Sequence, residues 1–193
     1  MSDTQNFFGN EGVYKFSESQ TALLKMASPI IDIVGDVNLE MMLYVRSAII
    51  YLRSRGSPEV QVMISSPGGG VDSGLVIYDL LRLYPGKKIA TVYDTAASMG
   101  ALILQACDVR NCTRHSDVLI HHINRGRVTL DVLRSTAKAA KLREDMERDQ
   151  ARLYVILSSK TGKPVSAIRR ECAKDKPMSA EEALKFGLID AIV

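Results

Sequence analysis

From Pro29 to Ile120, short apolar runs alternate with longer stretches of helical period, and this alternation narrows the fold more than any other feature. PIIDIVG (29–35) is an apolar run closed by Gly35 and predicts a strand. LEMMLYVRSAIIYLRSRG (39–56) has apolar side chains at helical spacing and ends at Gly56, a suitable residue just past a helix C-terminus. VQVMISS (60–66) predicts a strand that stops at Pro67, and SGLVIYDLLRLYPG (73–86) an amphipathic helix. KKIATVYD (87–94) predicts a strand, ASMGALILQAC (97–107) an apolar helix, and DVLIHHI (117–123) a further strand. Strands that alternate with helices build βαβ units and a mostly parallel sheet, so the fold class is α/β. The near-continuous apolar character of the strands suits a sheet covered on both faces.

Outside this block the pattern changes. Residues 1–27 are polar with weak periodicity and are expected to form an arm or axial segment, with residues 28–193 as one domain. A Lys-, Arg-, Glu- and Ala-rich stretch from Val128 to Ser158 predicts one helix of roughly 45 Å. Its apolar stripe (Leu130, Leu133, Ala137, Leu142, Met146, Leu153, Leu157) needs cover, from the body of the molecule or from a partner. After Gly162 come a short helix, a turn at Asp175–Pro177, and a last helix opened by a Ser179/Glu182 capping box and closed by Gly187. LIDAIV predicts a terminal strand.

Composition excludes several function classes. The chain has 25 basic and 22 acidic residues, a net charge of +3, too balanced and too scattered for a nucleic-acid surface. Cys107, Cys112 and Cys172 form no CxxC pair, and the first residues have neither a basic nor an apolar signal region. No apolar run approaches the ~18 residues of a membrane helix. Reduced thiols, no membrane partner and a cytoplasmic location are the expectations.

Four segments can carry chemistry. Ser98, in TAASMGAL, sits between a strand and an apolar helix among small neighbours. There it feels the positive end of the helix dipole and nearby free N–H groups, as a nucleophile requires, although G-x-S-x-G is absent. Taken singly it reads as an ordinary N-cap serine. SSPGGGVDSG (65–74) can turn successive backbone N–H groups into one space, as an oxyanion hole does, but alone it is a tight turn. Neither phosphate-binding glycine motif is present. His121 and His122, on an apolar strand, face opposite sides of the sheet; a neutral histidine is the usual general base for a serine, and a lone one is more often a core residue. Adjacent histidines on a strand diverge, so no metal site is expected. Asp175 by itself reads as a solvated loop carboxylate.

Together and in this order, SPGG, IYD, AASMGA, LIH and DKPMSAEEALKFGLID resemble the proteolytic subunits of the Clp protease, over about Pro29 to Ile192. The resemblance implies a crotonase-like βαβ superhelical head with a projecting handle at about 124–160. It implies Ser98 as nucleophile, His121 as general base, Asp175 as its orienting acid, and the Gly69 and Met99 amides as oxyanion hole. It further implies a homo-oligomer of two stacked heptameric rings that hydrolyses unfolded polypeptides, fed by an ATP-driven AAA+ unfoldase. The chain has no P-loop and is expected to hold no cofactor, so ATP belongs to that partner. Against the family pattern, His122-Ile123 stand where Gln-Pro is usual, and Lys174 stands where Arg precedes the acid. Alternatives that stay open are a specialised processing peptidase such as a phage one, a crotonase-type acyl-CoA enzyme, and a non-catalytic ring subunit.

Overall fold

The structure, a computed structural model, describes residues 14–124, 126 and 128–193. Residues 1–13 of the expected arm, and Arg125 and Arg127 of the expected handle, lie outside the described residues. The chain divides into two compact units, one of residues up to Leu119 with Pro177–Val193, the other Ile120–Lys176.

The larger unit is built on a mostly parallel sheet. β1 (Ile30–Val37), β2 (Val60–Gly69), β3 (Lys88–Ala97), β4 (Val109–Cys112) and β7 (Ala191–Ile192) lie side by side in that order, all parallel. β3 outruns β4, and its far end, Thr95–Ala97, pairs with β5 (Asp117–Leu119), which pairs antiparallel with β6 (Met178–Ser179). Helices α2 (Leu39–Ser54), α3 (Val71–Leu83) and α4 (Met99–Leu104) are the crossovers. The strands alternate fully buried Ile31, Ile33, Val60, Val62, Ile64, Ala90 and Val92 with half-exposed neighbours, so one face carries most of the core. α8 (Ala180–Phe186) opens with the expected capping box, in which Ser179 Oγ accepts from Glu182 N and Glu182 reaches back to Ser179 N, and closes at Gly187 with φ 92°.

Several elements differ from the expectations. The arm contains α1 (Glu18–Lys25), whose capping box joins Ser17 and Gln20 and whose Leu24 is buried. Tyr14 is buried too, and its ring and that of Phe16 pack on Tyr44 of α2 at 5.8 and 6.1 Å between centroids. β2 runs through Pro67 to Gly69; a proline is tolerated there because the register slips on both sides of β2 near it. β4 has no counterpart in the predicted elements, since VRNC is short and largely polar. β5 ends at Leu119, so His121 and His122 are not strand residues. Its pairing with β3 closes at Ala97 and Leu119, where β3 ends and the Ser98 N–H takes the Leu119 carbonyl at 2.8 Å.

In the smaller unit the expected single helix is two, α5 (Leu130–Arg134) and α6 (Thr136–Thr161). Ser135 breaks it with φ −101° and ψ 109°, and its side chain caps the Lys138 N–H. Serine competes for backbone partners in this way and starts helices more readily than it continues them. α6 ends at Thr161, three residues later than expected, with Gly162 (φ 70°) as its cap, and α7 (Val165–Cys172) comes next. Among the described residues no helix is long and apolar enough to cross a membrane.

Candidate active site

Ser98 occupies the one-residue turn between β3 and α4 with φ 53° and ψ −118°. An L-residue rarely adopts that conformation, which costs of order 1–3 kcal/mol and survives only where the surroundings impose it. The surroundings are visible: β5 holds the Ser98 N–H, and the fully buried α4 fixes the outgoing chain. Ser98 is half-buried, and its hydroxyl makes no capping bond to the helix it precedes. It is therefore not an ordinary N-cap. Although the motif reads A-A-S-M-G, the backbone makes a sharp strand-to-helix turn at Ser98. Gly100 supplies the close packing behind it, since a Cβ there would lie 3.0 Å from the Ser66 carbonyl oxygen.

Beside Ser98 runs the end of β2. Gly68 has φ 95°, and a Cβ on it would fall 2.5 Å from Ser98 Cβ, 2.8 Å from the Ala97 carbonyl oxygen and 3.0 Å from Met99 N. The absent side chain of Gly69 (φ 148°) points elsewhere, to within 2.4 Å of the Val37 carbonyl oxygen in β1. Gly68 N–H donates to Ser66 Oγ at 3.1 Å, that hydroxyl donates to the Gly35 carbonyl at 2.7 Å, and Gly70 N–H donates to Val37 O at 2.7 Å. Met99 opens α4, so its amide is among the helix-terminal donors without an intrahelical acceptor. Its buried side chain sits against Gly74 of α3, where a Cβ would lie 2.3 Å from Met99 Cε.

His121 and Asp175 come together in the smaller unit, Nδ1 to Oδ1 3.6 Å apart, with the two side chains 18% and 73% exposed. The separation exceeds a direct hydrogen bond. Asp175, like Ser98, has positive φ, 46°, and its N–H donates to the Cys172 carbonyl. Lys174 pairs with Glu171 at 2.7 Å.

Of the residues singled out in the sequence (Ser98, His121, Asp175, Gly69 and Met99), the structure places Ser98 and Met99 beside Gly68, and His121 beside Asp175. Sequence reasoning did not single out Gly68 or Ser66. Three consecutive glycines look alike, and only the approach of Ser98 distinguishes them. No thiol rivals the serine: Cys107, Cys112 and Cys172 are buried, and burial pushes the Cys112 and Cys172 thiols up to about 11. Among the described residues no group of His, Cys, Asp and Glu is arranged to hold a metal ion.

A family model described as Clp protease matches residues 14–193. An "ATP-dependent Clp protease proteolytic subunit" of Pleurastrum terricola is 33% identical over 168 residues, covering 84% of this chain and 82% of that one. A match over nearly the whole length, on an α/β fold with a strained serine turn beside a glycine strand, leads to one conclusion: the chain belongs to the Clp protease family.

Proposed function

We propose that the chain is a serine-type endopeptidase that cuts unfolded polypeptides. The observation that carries this reading is the backbone of Ser98, held at φ 53° with its hydroxyl unspent on capping. Strain of that kind has a use when a side chain must be presented to a substrate. Membership of the Clp protease family supports His121 as the base for Ser98.

His121 removes the Ser98 proton as the oxygen attacks a peptide carbonyl, and then returns it to the departing amine. Asp175 selects the His121 tautomer and stabilises the imidazolium. While the Gly68 and Gly70 N–H groups donate to Ser66 Oγ and the Val37 carbonyl, the Met99 and Gly69 amides receive the developing oxyanion. Each such donor is worth roughly 3 kcal/mol of barrier. Water then attacks the acyl-enzyme at the same carbon, again through His121. A crotonase-type acyl-CoA enzyme would use the amides but would leave the strained serine turn without a task.

The apolar groove of about 800 Å³ on α5 and α6, lined in part by Val132, Leu133, Leu142 and Met146, supports a handle that buries this face between subunits of two stacked heptameric rings. Leu130 and Leu133 are each 65% exposed in the single chain. Polypeptide would be fed to such an assembly by a separate ATP-driven unfoldase in the cytoplasm. The native mass of the particle and the site of fluorophosphonate labelling test the proposal together. A multimer with a phosphonylated Ser98 peptide, cleaving casein faster with an unfoldase, is the expected result; an assembled protein that never labels at Ser98 would overturn it.

A further inference from the structure

The segment that carries His121 has no helix or strand of its own from Ile120 to Asn124. Two side chains of α6 hold it instead. Ile123 N–H donates to Gln150 Oε1 at 2.6 Å, and His122 Nδ1 is hydrogen-bonded to the Tyr154 hydroxyl at 2.8 Å. Gln150 and Tyr154 are four residues apart and so lie on one face of the helix. Tyr154 is itself fixed: it is 6% exposed, its ring meets His122 edge-on at 6.1 Å, and the Arg169 guanidinium of α7 lies 5.5 Å from its ring centre. Burial pushes the Tyr154 hydroxyl above its ordinary pKa, so it keeps its proton at neutral pH and can both donate and accept. Its bond to His122 therefore holds for either tautomer of the neutral imidazole, and also when that ring is protonated. With the side chain of residue 122 and the amide of residue 123 both pinned, rigid peptide planes leave the His121 backbone few ways to turn.

We propose that Tyr154 and Gln150 are positioning residues that set the orientation of His121 through its two neighbours on the C-terminal side, an assignment of purpose that rests on His121 being the general base. Neither touches the reacting atoms. Sequence alone hides them, because a tyrosine and a glutamine on a charged helix look like surface residues.

The chain has three histidines, His115, His121 and His122, so histidine-labelled protein has three ring signals to follow by NMR. Tyr154→Phe keeps the ring and removes only the hydroxyl; Gln150→Ala removes the acceptor, and Gln150→Glu restores one. In Tyr154→Phe and Gln150→Ala the His121 ring signal should shift or broaden while His115 stays in place, and Gln150→Glu should return it towards the parent position. Fluorophosphonate labelling at Ser98 should slow roughly tenfold in the first two variants, with the native mass unchanged. A His121 signal identical to the parent in both variants overturns the proposal, whether or not the protein labels. If the signal moves as described but the parent protein never labels, the positioning role stands and the peptidase reading falls.

Discussion

Ser98→Ala should lower peptide hydrolysis by about a millionfold, with the assembly and the melting temperature nearly unchanged. On the proposed mechanism the size follows from losing the oxygen that forms the acyl-enzyme, and the remainder is the residual catalysis of the proposed oxyanion site acting on water. The insensitivity of the fold follows from the structure. The Ser98 hydroxyl caps nothing, and alanine accepts φ 53° no better and no worse than serine. Surface substitutions that break no such contact usually stay within about 0.5 kcal/mol. Ser98→Gly sharpens the test. It is equally inactive, but it releases strain of order 1–3 kcal/mol at the expense of about 0.5–1 kcal/mol of unfolded-chain entropy, so its melting temperature should rise. Thermal denaturation of both variants beside a casein or peptide assay reads both effects. A Ser98→Ala protein that retains even a hundredth of the parent rate would rule out Ser98 as the nucleophile.

Gly68→Ala should be severely damaging for a single added methyl group. It is strained at φ 95°, and its Cβ would sit at 2.5–3.0 Å from Ser98 Cβ, Ala97 O and Met99 N, two of them backbone atoms that cannot swing aside. Relief requires β2 to move away from the serine turn. We expect a loss of more than about 3 kcal/mol of stability, or, where the fold yields instead, at least a hundredfold loss of labelling rate from a displaced oxyanion site. Gly70→Ala is the internal control two residues on. Its φ of −63° suits alanine, and its nearest contacts, at 3.5 and 3.9 Å, are ordinary, so a change within about 1 kcal/mol is expected. Chemical denaturation curves for the two variants decide the matter; equal midpoints would mean that Gly68 is not wedged against the nucleophile.

How much of the fold and the site can be read from the chain depends on the range of the forces involved. The βαβ alternation is legible because each strand and crossover helix announces itself within its own few residues, by apolar run, period and closing glycine. The Ser179 and Glu182 capping box is legible for the same reason. Where a distant neighbour decides the outcome, local pattern fails. β5 stops at Leu119, where its pairing with β3 closes, and nothing in DVLIHHI carries that information. β4 exists because β3 and β7 flank a short polar segment. Ser135 can be read as a helix start, yet the surrounding helical composition outweighs it. For the site, residue types and order point to Ser98, His121 and Asp175, whereas the positive φ of Ser98 and the wedge of Gly68 arise only when two strands meet.

The His121–Asp175 pair leaves the carboxylate 73% in water. In the proposed mechanism, attraction between that carboxylate and the imidazolium formed when His121 takes the Ser98 proton is damped as mobile ions crowd in, the Debye length shrinking from about 10 Å at 0.1 M to about 3 Å at 1 M salt. Ionic strength then becomes an external brake on the proposed peptidase: turnover should decline reversibly as salt rises, while Asp175→Asn, with no charge left to shield, should run slowly and at one speed throughout.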